Sequence, residues 1–399
     1  MEGVKDKIKM VDVRQARMLA NEVSEKLHRF QMHSGMHDSN CLMKYDDNGP
    51  RGVNPPIIPY APSRRARVYT GTHESGSFNH QSQLVKFRGK YYLGWSNGIA
   101  DEENTGQRVL ISSSEDALSW SNALCLAGTR DSSLSYSCLG ICSFEETLYV
   151  IARQEDVLRD ANVVGMHRVD PMKSRIKVFT SRDGADWRMS FDLIDQPGIF
   201  YEAPRVISGG GLMCTATLTK GGPAVLRWKN PDLQEKPEVL FIPEPEGAVF
   251  CYGEASWYQR DDGLIVIFWR DENKSCRLWV NFSEDNGRSF SPPVISDIPD
   301  SMSRVSAGRL NDKRYFLCNN AFPVLLNRRH LMLFLSDDGL AFNKVYMLMD
   351  DPTSQRVTGL LKADGYQYPC CLADGEKLLV SYSVNKEDIE CVSLDCSDI

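Results

Sequence analysis

Beyond residue 65 the hydrophobic positions come in short runs, many alternating with polar residues, and each run stops at a cluster of Gly, Asp, Asn or Ser. Period-two alternation marks a half-buried strand, and the breaks carry turn chemistry. Six segments read as a strand, a polar turn and an apolar strand: His80–Trp95, Leu139–Ala152, Glu202–Thr215, Glu254–Ile267, Val305–Cys318 and Tyr368–Ser381. Four are followed by a further apolar run that ends in one recurring pattern. It reads Ser114-Glu-Asp116-Ala-Leu-Ser-Trp120, Ser181-Arg-Asp183-Gly184-Ala-Asp-Trp187, Ser283-Glu-Asp285-Asn-Gly287-Arg-Ser-Phe290 and Ser336-Asp-Asp338-Gly339-Leu-Ala-Phe342. An Asp at a hairpin tip accepts bonds from the turn's own N–H groups, Gly supplies a left-handed position, and the aromatic is expected to fold back beneath the turn and be buried.

Units of roughly 50–65 residues with two hairpins each have the size of a four-stranded propeller blade. The expected fold is therefore an all-β propeller of six blades. The third unit has lost the motif and carries Val225-Leu-Arg-Trp-Lys-Asn-Pro-Asp232 in its place. A seventh blade could lie in residues 40–79, where Leu42–Tyr45 and Ala66–Tyr69 are candidate strands. The propeller is assigned to residues 66–399, and residues 1–65 form an N-terminal helix and a Pro-rich arm. Within 12–32, Leu19, Val23, Leu27 and Phe30 recur at helical spacing, which predicts an amphipathic helix. Such a face packs on the propeller's outside, plugs one end, or joins two copies into a homo-oligomer.

Net charge is −7 with both signs mixed, which gives no electrostatic case for nucleic acid or an anionic membrane. No apolar stretch approaches the roughly 20 residues of a spanning helix. The first ten residues lack the apolar core of a secretory signal, so a cytoplasmic protein is expected. Twelve cysteines in 399 residues are too few for a disulfide scaffold, and none shows a metal-ligand spacing with histidine.

In a propeller the first strand of each blade lines a central channel, so polar residues at those strand starts converge on one funnel. These positions hold His73, His80 and Gln83, then Tyr136, then Glu202 with Arg205, Glu254, Arg304 with Arg309, and Gln367 with Tyr368. Arg153 and Arg270 close second strands. A set rich in His, Tyr, Arg and Glu suits an anionic or sugar ligand. Each member also has a structural reading: Glu202 and Glu254 as caps on a neighbouring blade, Tyr368 as packing before Pro369, His167 as surface.

The four turn motifs resemble the Asp boxes of sialidase-type propellers. The run Phe78–Asn97 with Gly106-Gln-Arg-Val109, and the stretches Gly253-Glu-Ala-Ser256, Asp300-Ser-Met-Ser303 and Tyr382–Ile389, are similar to a group of propeller carbohydrate enzymes. That group contains ulvan lyases, rhamnose–glucuronate lyases and α-L-rhamnosidases, commonly with seven blades. The resemblance spans residues 66–395. It implies a catalytic set of His80 or His73, Tyr136, Arg153 and Arg205, with Arg304 as a further arginine; the strand-start set makes His73, Gln83, Glu202, Glu254, Arg304 and Tyr368 the residues expected to bind an oligosaccharide. The resemblance requires no cofactor and leaves a structural Ca²⁺ open.

Elimination from a uronic acid needs arginines that neutralise the carboxylate while the α-proton leaves, and a His or Tyr as base and acid. Hydrolysis needs two carboxylates, or the Tyr/Glu pair with an arginine triad that sialidases use. The chain has no Phe-Arg-Ile-Pro segment near its N-terminus, where sialidases place their first arginine. The sequence thus favours a lyase of uronic-acid-containing oligosaccharides, ahead of a hydrolase of the same fold and a non-catalytic binding propeller.

Overall fold

The computed structural model describes residues 58–158, 169 and 171–399. The segment 12–32, Leu42–Tyr45 and His167 lie outside these residues. The first strand, β1 (Arg64–Thr70), pairs with none of the strands that directly follow it in sequence. Blade 1 comprises β2 (Phe78–Phe87), β3 (Lys90–Gly98), β4 (Arg108–Ser114) and β5 (Leu124–Ala127). Blade 2 comprises β6 (Leu134–Phe144), β7 (Thr147–Asp156), β8 (Arg175–Ser181) and β9 (Arg188–Asp192). In blade 3 the inner strand is broken into β10 (Gly198–Phe200) and β11 (Arg205–Val206), followed by β12 (Leu212–Leu218), β13 (Gly222–Trp228) and β14 (Glu238–Phe241). Blade 4 holds β15 (Ser256–Gln259), β16 (Ile265–Trp269), β17 (Arg277–Ser283) and β18 (Val294–Pro299). Blade 5 holds β19 (Ser306–Arg309), β20 (Tyr315–Asn319), β21 (Leu331–Ser336) and β22 (Lys344–Met349). Blade 6 is β23 (Tyr366–Asp374), β24 (Lys377–Val384), β25 (Asp388–Asp395) and, on its outer edge, β1.

The ring therefore has six blades, and Ala66–Tyr69 belongs to the strand that closes it rather than to a seventh. Closure joins the two ends of the propeller: β1 pairs antiparallel with β25, and Glu390 takes Arg65 at 2.6 Å and Arg67 at 2.8 Å. Pairing the last edge removes an exposed strand that would otherwise invite association. The break in blade 3 falls at Glu202-Ala203-Pro204, where Pro204 has no N–H to give a ladder. There the chain presses on blade 2 so closely that a Cβ on Gly140 would meet the Ala203 Cα at 2.7 Å.

Apolar cores lie between neighbouring blades, as in Val266 and Phe268 of blade 4 against Leu317 and Phe334 of blade 5. Each of these four side chains is fully buried, and each aromatic contributes roughly 2–3 kcal/mol relative to exposure. Each unit needs only its neighbours, so the ring is not bound by the size limit of a single core.

In the first turn motif Asp116 Oδ1 accepts from Leu118 N at 2.8 Å and Ser119 N at 2.7 Å, while Ser114 Oγ donates to it at 3.0 Å. The Ser119 and Leu118 amides hold the Asp116 carboxyl down to about 2. Asp183 and Asp338 make the same bonds. One expectation needs correcting: Phe342 is buried, but Trp120, Trp187 and Phe290 are only half-buried. The indoles of Trp120 and Trp187 stay near the surface and donate to their own turn carbonyls at 3.1 and 3.2 Å. In the third unit the turn keeps a carboxylate cap, with Gln234 N donating to Asp232 at 2.9 Å.

First strands all run in one sense, which gives the ring an upper face where they begin and a lower face where they end. Connections from third to fourth strands fall on the lower face with the turn motifs. Connections from second to third strands fall on the upper face, together with the loops that enter each new blade.

Candidate functional site

Both β2 and β23 carry a bulge near their upper ends. In β23, Gln367 pairs with Ser383 and Cys370 with Ser381, which leaves Tyr368 and Pro369 opposite Tyr382 alone. In β2 the register slips between His80 and Gln83 in the same way. Tyr368, Gln81 and Glu254 have φ of 58°, 57° and 35°, a region that costs a side-chain-bearing residue of order 1 kcal/mol or more. For Tyr368 the proline that follows adds to the cost. Bulges re-aim side chains out of the pleat, and here they turn His80 and Tyr368 toward each other.

The rings of His80 and Tyr368 lie 3.9 Å apart between centroids. The Tyr368 hydroxyl donates a short hydrogen bond to Glu254 Oε1 and accepts one from Arg270 Nη1 at 3.1 Å. Arg270 also grips Glu254 Oε2 and Glu272, both in short contacts. Arg328 stands 5.4 Å from the Tyr368 ring centroid and Lys386 Nζ 5.7 Å from it. The Arg304 guanidinium meets Gln83, whose amide oxygen, when turned toward it, accepts at 2.5 and 3.0 Å. Beneath them Asp300 accepts from Asn319 and from Ser303 N, each at 3.2 Å.

Charge in this well is unevenly matched. Arg270 has Glu254 and Glu272, and Lys386 has Glu102 at 2.8 Å. Arg328 donates only to neutral oxygens, Gln367 Oε1 at 2.7 Å and Met302 O at 3.0 Å, and Arg304 only to Gln83. Among the described residues neither has a carboxylate partner, although both are over nine-tenths buried. Buried guanidinium groups without counter-charge are costly, and an anion arriving in the well would relieve both.

Burial, then the charges of Lys386, Arg328, Arg304 and Arg270, push His80 well below the usual histidine range, so its ring is neutral at physiological pH. Its Nδ1 lies 2.9 Å from Ser383 Oγ, and its buried Nε2 has no partner. Burial and the Glu254 charge raise the Tyr368 phenol, against Arg270 and Arg328. Burial raises the Glu254 carboxyl, opposed by Arg270, Tyr368 and the other arginines. Burial also lifts Asp300 to about 7.

Of the residues expected from sequence, His80, Gln83, Glu254, Arg304 and Tyr368 thus come together. His73 is exposed in the loop between β1 and β2. Tyr136 is half-buried, packs between blades 1 and 2, and accepts from Gln154 Nε2 at 2.6 Å. Arg153 is held by Glu103 and by Glu155 at 3.0 Å. Arg205 and Glu202 pair with each other at a lower level of the channel. Arg205 Nη2 donates to both Glu202 oxygens at 3.0 Å, Nη1 to Ala307 O at 3.0 Å, and the guanidinium lies 4.4 Å from the Trp257 ring. Glu202 also accepts from Ser256 Oγ at 2.8 Å.

Arg328 and Lys386 carry no strand-start or strand-end signal in the sequence, because both stand inside the loops that follow second strands. Second strands end at the same face, so the loops after β16, β20 and β24 bring Arg270, Arg328 and Lys386 to the same well. The loop between β3 and β4 reaches the edge of the well, its Glu102 on Lys386 and its Glu103 on Arg153. Among the described residues, no group of three or more His, Cys, Asp or Glu side chains is placed to hold a metal ion, and the cysteines form no disulfide.

The fold has solved counterparts at low identity. NanB sialidase from Streptococcus pneumoniae is 12% identical, with TM-score 0.63 over 83% of this chain and 70% of its own. Trypanosoma rangeli sialidase is 14% identical, with TM-score 0.63 over 84% of this chain and 59% of its own. A protein of unknown function from Dyadobacter fermentans is 15% identical, with TM-score 0.66 over 85% of this chain and 100% of its own. No curated protein matches the chain by sequence. The model of the BNR repeat-like domain matches residues 100–380, the span that carries all four Asp-box turns, and the chain belongs to that family.

Proposed function

We propose that this protein is a glycoside hydrolase of the sialidase type, acting on an acidic sugar with Tyr368 as nucleophile and Glu254 as its base. The observation that carries the reading is the buried Tyr368–Glu254 hydrogen bond beside Arg304 and Arg328, two arginines without carboxylate partners. A sugar carboxylate entering the well would meet Arg304, Arg328 and Arg270. A carboxylate nucleophile would be repelled by that anion, whereas a phenol approaches it uncharged and sheds its proton to Glu254 as the bond to the anomeric carbon forms. Arg270, which contacts both oxygens of the pair, stabilises the developing phenolate. Water then attacks the anomeric carbon of this aryl glycoside linkage, and Glu254 returns its proton to the departing phenolate, with retention of configuration. The leaving oxygen takes its proton from water at the mouth, since Glu102 and Glu103 are held as ion pairs by Lys386 and Arg153. Two of the fold counterparts are sialidases, which supports this class.

Elimination is the second reading, favoured by one observation: His80 is neutral, and its unpartnered Nε2 is a base within the same well. The two are separated by incubating the protein with a sialoside and with a rhamnose–glucuronate oligosaccharide. Free sugar without an unsaturated product identifies the hydrolase. The ultraviolet chromophore of an unsaturated uronate identifies the lyase. Binding without cleavage of either would leave a binding propeller.

A further inference from the structure

Exposed apolar side chains are distributed unequally between the two faces. Ile99, Tyr252, Leu361 and the run Val324-Leu325-Leu326 all stand on loops of the upper face, and Leu361 is 58% exposed. Among the described residues, the loops of the lower face expose no large apolar side chain; those exposed near that end, Leu124, Met189, Val206, Val239 and Ile295, lie singly on strands of different sheets or edges. The lower face shows that the fold's connections can be built without them. Three consecutive exposed aliphatic residues carry a solubility cost and no folding benefit, so they point to a use.

We infer that this rim receives the apolar part of the substrate, which is then an amphiphile: an acidic sugar whose leaving group is an alkyl or acyl chain. The inference rests on the hydrolase reading above and adds the class of leaving group. The apolar residues are tied to the well itself. Tyr252 is two residues before Glu254, and its neighbour Gly253 accepts from Arg270 N at 2.7 Å. Leu326 is two residues before Arg328, and its N–H donates to Ser301 O at 2.9 Å. Ile99 begins the loop that carries Glu102. Leu361 adjoins Leu360, whose N–H donates to Asp101 of that loop at 2.6 Å. The Val324–Leu326 loop joins the Leu361 loop through Tyr366 N on Arg328 O at 2.8 Å. Ile99, Leu361 and Val324–Leu326 therefore stand on loops tied to one another and to the groups of the well. Exposed Lys274 interrupts the rest of the ring and exposed Arg329 bounds this apolar set itself, which suits a single chain lying across one sector better than a bilayer under the whole face.

The test compares the octyl and methyl glycosides of N-acetylneuraminic acid on the wild type and on Leu326→Ser/Leu361→Ser. The expected result is a kcat/KM about tenfold higher for the octyl glycoside in the wild type, a ratio that falls to about one in the variant. Equal rates on both glycosides in the wild type, or an unchanged ratio in the variant, would overturn the inference. If neither glycoside is cleaved, the hydrolase reading fails, and titration with monomeric octyl glucoside tests the rim alone. Saturable binding that the variant loses retains the rim as a chain site, and no binding ends it. Equal adsorption of wild type to phosphatidylcholine vesicles lacking any sugar, or a dimer that the variant dissociates, would also overturn it, by assigning the rim to a bilayer or a second copy.

Discussion

Replacing Tyr368 by Phe removes one oxygen atom from the centre of the proposed chemistry and leaves the packing in place. The ring still lies against His80 and beneath Arg328 and Lys386. What is lost is a charge-assisted hydrogen bond to Glu254 and an acceptor for Arg270 Nη1. Such bonds contribute about 1.5–3 kcal/mol. Glu254 keeps Arg270, so no carboxylate is orphaned and the lower part of that range applies, about 2 kcal/mol. For a cooperative chain of 399 residues that lowers Tm by about 2 °C. Activity should respond on another scale. Without its nucleophile the enzyme retains only binding and electrostatics, and kcat/KM on an activated aryl sialoside should fall by about a thousandfold or more, about 4 kcal/mol. Differential scanning fluorimetry and initial rates on the purified variant supply both numbers. A Phe variant that turns over within about tenfold of the wild type would refute the nucleophile assignment, whatever its Tm.

Arg328→Met should cut kcat/KM on an acidic sugar by about a hundredfold, because it removes a carboxylate partner, while Tm holds or rises, because a buried charge without a counter-ion is gone; a fall in Tm with intact turnover would place Arg328 in the fold alone. Arg205→Lys should do the opposite. It keeps a cation for Glu202 but loses the Nη1 bond to Ala307 O and the guanidinium face on Trp257, and with Arg205 36% exposed the cost is discounted to about 1–2 kcal/mol, seen as a lower Tm with kcat/KM unchanged; lost turnover at constant Tm would move Arg205 into the site. Asp300 supplies a pH signature. Its carboxyl is raised from 3.8 to about 7 by burial, so the folded state holds a proton that the unfolded chain has released. That contribution to stability is complete below about pH 4 and is lost as pH rises to about 7, at up to about 1.4 kcal/mol per pH unit. Urea midpoints measured across that window should decline in the wild type and flatten in Asp300→Asn; parallel declines would show that another group titrates.

The sequence by itself determined the repeat, because the repeat is made of local contacts. Asp116 bonds to amides two and three residues away, and Ser114 to one three residues away, so the turn is fully specified by a handful of neighbouring letters. The strand alternation that frames these turns is equally local, and it yields six units, an all-β fold and the face on which the inner strands begin. It also placed His80, Gln83, Glu254, Arg304 and Tyr368 at that face. The tertiary structure decided what they do there. Tyr368 and Glu254 are 114 residues apart and meet only because blades 4 and 6 look across one channel. Tyr368 points at Glu254 because of a bulge at Tyr368-Pro369, a two-residue slip that hydrophobic periodicity cannot register. Arg205 and Arg304 look equivalent as letters at strand starts, yet one is matched by Glu202 three residues before it and the other meets only an amide. Whether a buried charge is satisfied depends on every group around it, and in a closed ring those groups come from all parts of the chain.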